Sequence, residues 1–114
     1  MDIEDIQKQL SDFANERDWD QFHNPKNLAM ALSVEASELV EIFQWLTPEQ
    51  AEAIMSSNES EHVKEEIADI MIYLIRMADK LNVDLENAVT DKIVKNGKRY
   101  PVSLSKGNVK KITI

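Results

Sequence analysis

The sequence predicts an all-α protein, a four-helix-bundle type of fold in a single domain. Three observations carry this. Four stretches place apolar residues at steps of three and four, the period of one helix face. Asn24-Pro25 and Thr47-Pro48 are helix starts, a capping side chain followed by a proline whose missing N–H is not needed in the first turn. Only two glycines and three prolines occur in 114 residues, which suits long helices and short connections.

A first helix is expected over residues 3–17, with Ile3, Ile6, Leu10, Phe13 and Ala14 on one face. Residues 17–24 break the period and place Trp19, Phe22 and His23 within five positions. These rings either cap the core or offer a stacking platform to a flat ligand. The second helix runs from Pro25 to about Trp45. Its stripe Leu28, Leu32, Glu35, Leu39, Ile42 steps by 4, 3, 4 and 3, so Glu35 stands where a leucine is expected. Glu38 follows one turn on, and Glu41 one more. A short helix from Pro48 to about Met55 and a polar loop over 56–60 come next.

The third helix spans roughly 59–81. Between Ile67 and Ile75 its only charged residue is Asp69, with Glu66 one turn before it. Lys64, Glu65 and Arg76 are read as its water-facing parts. The fourth helix, capped by Asp84, runs from Leu85 to about Asn96, with Gly97 expected at the left-handed C′ position. Lys92, Lys95, Lys98 and Arg99 make its end the one basic region of the chain. The domain core is expected over about 3–101, followed by a tail over 102–114. Val109 to Ile114 carry β-branched residues in partial alternation and are expected as a short strand or a frayed end.

Composition excludes several classes. The chain carries 21 acids against 13 Lys and Arg, a net charge of −8, which disfavours non-specific binding to nucleic acid. Cysteine is absent, so disulfides, thiolate catalysis and Cys zinc sites are excluded. No apolar run is long enough to cross a membrane and no signal-peptide pattern opens the chain. A cytoplasmic protein without a membrane partner is expected. The third helix is more apolar than one thin bundle can cover, so a subunit interface is expected too.

Burying an unpaired carboxylate is costly unless it finds a partner, a cation or a proton. Two helices each offer an acid pair at i and i+3 on or beside the packing face: Glu35 with Glu38, and Glu66 with Asp69. Brought together, the four repel unless cations sit among them, and an all-oxygen set suits Mg²⁺, with Mn²⁺ as a substitute. Lys92, Asn96, Arg99 and Tyr100 can hold phosphate oxygens. Trp19, Trp45 and Tyr73 can stack on a base, and His23 can hydrogen-bond to it. Together these are the requirements of a nucleoside triphosphate, with one carboxylate as general base. Glu38 and Glu35 are the candidates, and the residues leave open which acid acts. The rival reading is a non-catalytic acidic helical interaction protein with a structural cation site.

Glu35-x-x-Glu38, a gap of 27 residues, then Glu66-x-x-Asp69 resembles the E-x-x-E…E-x-x-D signature of the MazG-like, all-α nucleoside triphosphate pyrophosphohydrolases. Arg17-Asp18-Trp19, Gln21-Phe22-His23, Asn27-Leu28, Phe43-Gln44-Trp45, Arg99-Tyr100-Pro101-Val102 and Leu104-Ser105-x-Gly107 are similar to segments of the dCTP pyrophosphatase branch. The resemblance implies hydrolysis of a (d)NTP, dCTP or a related or modified dNTP, to the monophosphate and pyrophosphate. It implies Mg²⁺ on Glu35, Glu38, Glu66 and Asp69. Trp19, His23, Trp45 and Tyr73 would lie around the base, and Lys92, Asn96, Arg99 and Tyr100 around the triphosphate. It further implies a homo-oligomer, a tetramer built as a dimer of dimers, with a role in removing surplus or non-standard nucleotides. The segment 47–60 matches no pattern of that branch.

Overall fold

The computed structural model describes residues 1–109, and among these every regular element is helical. The helices are α1 (Ile3–Glu16), α2 (Pro25–Phe43), α3 (Pro48–Glu52), α4 (Ser60–Lys80), α5 (Leu85–Arg99) and α6 (Val102–Ser105). Two single 3-10 turns, Asp20–Phe22 and Ile54–Ser56, join α1 to α2 and α3 to α4. Met1–Asn82 form one compact unit and the chain from Val83 onward a second.

In the first unit α4 packs against α2 along its length and against α1. The apolar stripes explain the packing. Ala14 from α1, Leu28 from α2, Val63, Ile75 and Ala78 from α4, and Ile54 from the 3-10 turn form the buried core. Side chains close the helix starts as the sequence predicts. Asn24 Oδ1 accepts from the Asn27 N–H at 2.8 Å. Thr47 and Gln50 make a reciprocal capping box, at 3.2 Å to the Gln50 N–H and 2.9 Å from the Thr47 N–H. The second helix ends at Phe43, two residues before the expected Trp45. Pro48 sets the limit downstream, because it holds Thr47 extended, with ψ 162°.

Burial accounts for only part of the third helix. Ile67 is 54% exposed, and Met71, Ile72 and Leu74 are each more than a third exposed. The apolar surplus expected from the sequence therefore stands uncovered on the single chain. Arg76 reverses its expectation: read as water-facing, it is 4% exposed.

In the second unit Asp84 Oδ1 accepts from the Asn87 N–H at 3.1 Å and starts α5. The helix runs through Gly97 to Arg99, three residues past the expected end, and among the described residues the glycine with positive φ is Gly107, at 79°. Lys98 and Arg99 lie in the last turn, where cations favour the helix dipole. Pro101 forbids the helix from continuing, and a short helix over Val102–Ser105 replaces the irregular tail expected there. Val109 is not in a strand. The rest of the expected strand, 110–114, lies outside the described residues.

Gly97 is a diagnostic position. A Cβ added there meets nothing within 4 Å, and the residue is helical. Gly97→Ala is expected to stabilise the protein by about 0.5–1 kcal/mol, read by urea unfolding. A left-handed C′ glycine would give a loss instead.

Candidate active site

The packing of α2 on α4 brings Glu35, Glu38 and Glu66 together: one carboxylate oxygen from each lies within 4.8 Å of the others. Glu35 lies on the apolar stripe of α2, and Glu38 and Glu66 lie on or beside the faces where α2 and α4 meet. Glu66 is 7% exposed. Glu35 Oε2 and Glu66 Oε2 are buried, with no hydrogen-bond partner. Such crowding favours a proton on Glu35. The Glu66 carboxylate first, then burial, then the Glu38 carboxylate, hold the Glu35 carboxyl up to about 7. His62 stands at the edge, with Nδ1 3.1 Å from Glu59 and Nε2 3.5 Å from Glu66. Its hydrogen bond to Glu59 chiefly raises its pKa.

Asp69 lies one turn further along α4 and is not among those three. It lines a cleft of about 360 Å³ together with Leu10, Phe13, Trp19, His23, Ile72, Tyr73 and Arg76. Tyr73 links the two places: burial raises its pKa, and the charges of Glu35 and Asp69 raise it further. The phenol therefore stays protonated, a donor between the acids and the cleft.

The aromatic wall is built by the turn between α1 and α2. The Trp19 N–H donates to the Ala14 carbonyl at 2.8 Å, after Asp18 has turned the chain at φ 55°. An aspartate tolerates that left-handed conformation better than most side chains. Trp19 then meets Phe13 edge to face, with centroids 5.7 Å apart and planes at 70°. Asn27 Nδ2 donates to the Phe22 carbonyl at 3.0 Å and secures the far end of the turn.

A cationic network anchors the same turn to α4. Arg76 Nη2 donates to Asp20 Oδ1 at 2.6 Å, and Arg76 Nε to His23 Nδ1 at 3.2 Å. Lys80 Nζ also donates to Asp20 Oδ1. The Lys80 hydrogen bond is the main cause of a lowered Asp20 pKa, with Arg76 adding to it. Burial first, then the charges of Arg76 and Lys80, lower the pKa of His23.

The structure thus gathers Trp19, His23, Asp69 and Tyr73 at one cleft, and Glu35, Glu38 and Glu66 at the adjoining helix contact. Trp45 does not join them: it lies past the end of α2 and is 86% exposed. In the second unit Lys92 and Asn96 share a face of α5, at i and i+4. The Arg99 guanidinium lies 5.6 Å from the centre of the Tyr100 ring. Sequence reasoning missed Arg76, Asp20 and Lys80. The signal was present, since the stripe that carries Glu66 and Asp69 continues through Tyr73, Arg76 and Lys80 at steps of 3, 4, 3 and 4.

A paired-helix carboxylate cluster beside an aromatic cleft defines a class, the all-α proteins with an acidic centre between two packed helices. Within it, the MazG-like family profile matches residues 30–113. The chain belongs to the MazG-like family. It is 46% identical over 112 residues to dCTP pyrophosphatase 1 of Bos taurus, covering 97% of this chain, and 43% identical over the same length to that of Homo sapiens. The chain spans 66% of the length of these relatives. A solved pyrophosphatase from Archaeoglobus fulgidus superposes with a TM-score of 0.82 at 37% identity, over 89% of this chain and 94% of that one.

The cluster sets a pH-dependence of stability. Glu35 has its folded value near 7, above its ordinary 4.5. Between these values the folded chain keeps a proton that the unfolded chain has released, so stability falls as pH rises through this window. In EDTA, Tm is expected to fall from about pH 5 to about pH 8. A divalent cation should restore it, more at the higher pH, and Glu35→Gln should flatten the EDTA curve. Scanning calorimetry checks this, and a Tm in EDTA that rises over the window would contradict it.

Proposed function

We propose that this protein is a Mg²⁺-dependent nucleoside triphosphate pyrophosphohydrolase. Its substrate is a (d)NTP, dCTP or a related or modified dNTP, converted to the monophosphate and pyrophosphate. One observation carries the reading: a single face of α4 joins a crowded carboxylate cluster to an aromatic cleft. Anionic phosphates beside acids require a cation, and a flat apolar cleft suits a base. The dCTP pyrophosphatase relatives support the choice of substrate.

The donor set fits a hard cation. Three carboxylates converge, two of their buried oxygens have no partner, and among the described residues no softer ligand joins them. Glu35, Glu38 and Glu66 would hold Mg²⁺, with Asp69 completing the set and Mn²⁺ as a substitute. Once bound, the ion supplies counter-charge to the triphosphate and polarises its phosphoryl oxygens.

The chain's own residues do the rest. Glu38, with Glu35 beside it, accepts a proton from the attacking water. The water oxygen bonds to the α-phosphorus, and the bond from that phosphorus to the bridging oxygen breaks as pyrophosphate leaves. Trp19, His23 and Tyr73, which line the cleft, surround the base. Lys92, Asn96, Arg99 and Tyr100 carry the cationic and polar groups that triphosphate oxygens take, and we assign them to substrate on that chemistry.

The exposed apolar residues of α4, and Val34 and Val40 of α2, support a homo-oligomer, which we take to be a tetramer. Trp45, exposed on the single chain, is assigned to the base within that assembly. The net charge of −8 argues against a nucleic-acid partner. No helix among the described residues is long and apolar enough to cross a membrane. We infer a cytoplasmic role in clearing surplus or non-standard nucleotides from the dCTP pyrophosphatase relatives.

A pyrophosphate-release assay over a panel of dNTPs and NTPs tests the reading. Release should require Mg²⁺, stop with EDTA and favour dCTP or a modified relative. Glu38→Gln and Asp69→Asn should each lower kcat by about 100-fold or more, with helicity by circular dichroism unchanged. Full activity in both variants would remove the assignment. A folded chain that binds the cation but turns over no nucleotide would leave a non-catalytic interaction protein.

A further inference from the structure

The role of Arg76 is not explained by packing alone. It is a cation at 4% exposure on an otherwise apolar stretch of α4, where an arginine is costly unless its donors are satisfied. Two of its nitrogens go to the same short turn: Nη2 to Asp20 at 2.6 Å and Nε to His23 Nδ1 at 3.2 Å. The guanidinium also lines the cleft that holds Trp19, Asp69 and Tyr73.

The second of these hydrogen bonds has a chemical consequence. A guanidinium has donors and no acceptor. The ring nitrogen that it meets must therefore present a lone pair, so the proton of a neutral His23 sits on Nε2. Nε2 has no partner among the described residues. We propose that Arg76 is a positioning residue, fixing His23 as the neutral Nε2–H tautomer so that the cleft offers a hydrogen-bond donor to the base of the substrate. This rests on the reading of the cleft as a base site. The ligand atom opposite His23 is then an acceptor, a ring carbonyl oxygen or an imino nitrogen, and an exocyclic amine is disfavoured there.

Other groups near the ring act in the same direction. Lys80 shares Asp20 with Arg76 and adds a second positive charge near the ring. Asp20 is the one charge in the network that favours an imidazolium, and its Oδ1 already accepts from both cations. A simple clamp of the turn onto α4 needs only the Asp20 contact. The Nε contact to His23 is the extra feature, and its effect reaches a ligand only through the ring.

The test uses the full chain, labelled with ¹⁵N, in the absence of nucleotide. At neutral pH, long-range ¹H–¹⁵N spectra should show His23 protonated on Nε2 alone. A ¹⁵N–¹⁵N coupling through the hydrogen bond should join its Nδ1 to Arg76 Nε. In Arg76→Met the coupling should vanish and both tautomers should appear. The same variant should raise KM for dCTP about twofold or more, the inverse of the fraction of His23 left as the Nε2–H tautomer. It should leave inhibition by inorganic triphosphate, which has no base, unchanged. Arg76→Lys should not rescue it, because one ammonium lacks the guanidinium's fork geometry. Asp20→Asn, at an exposed position, is the second variant and should weaken the coupling with a smaller rise in KM.

A wild-type His23 found as the Nδ1–H tautomer or as imidazolium would overturn the proposal. So would an Arg76→Met effect that falls equally on dCTP and inorganic triphosphate, the mark of a merely structural clamp. Absence of turnover with every nucleotide would defeat the function reading instead, and the wild-type spectrum would still decide the tautomer.

Discussion

The structure depends on one electrostatic conflict. The packing of α2 against α4 buries the stripes that hold the first unit together, with Leu28 and Ile75 almost wholly out of water. The same packing forces Glu35, Glu38 and Glu66 into one small volume. Their repulsion opposes the contact that creates it. Protonation of Glu35, whose carboxyl is held up to about 7, relieves part of the conflict, and a divalent cation can relieve it more fully. The helices therefore hold three crowded carboxylates that could take a metal ion.

Along α4 the charge changes sign. Glu66 and Asp69 come first, Tyr73 follows, and Arg76 and Lys80 close the same stripe. This order agrees with the helix dipole, which favours cations towards the C-terminal end. It also divides the labour within the first unit. The acidic end meets α2, and the cationic end grips the turn that carries Trp19 and His23. One rigid helix thus sets both the centre of charge and the shape of the cleft.

Much of this was legible in the sequence. Glu35 and Asp69 stood out because each occupies a place where an apolar side chain belongs; the α2–α4 contact gathers Glu35 with Glu38 and Glu66, whereas Asp69, one turn on, lines the cleft instead. Asn24 and Thr47 marked helix starts through local hydrogen bonds that depend on few neighbours. Arg76 was misread because a lone cation on a helix is usually solvated, and its partners Asp20 and His23 lie more than fifty positions earlier in the chain. Gly97 was misread because glycine so often ends helices. Here Pro101 sets the limit, and the helix runs on to it. Trp45 shows the reach of a single chain: its exposure is set by the end of α2, and no local pattern says what covers it.

The account turns on cleavage between the α- and β-phosphates by a water that a carboxylate activates. Turnover of dCTP in H₂¹⁸O with Mg²⁺, followed by ³¹P NMR of the products, tests this most directly. The account predicts ¹⁸O in the monophosphate and none in the pyrophosphate. Label in the pyrophosphate, or release of orthophosphate in its place, would contradict it.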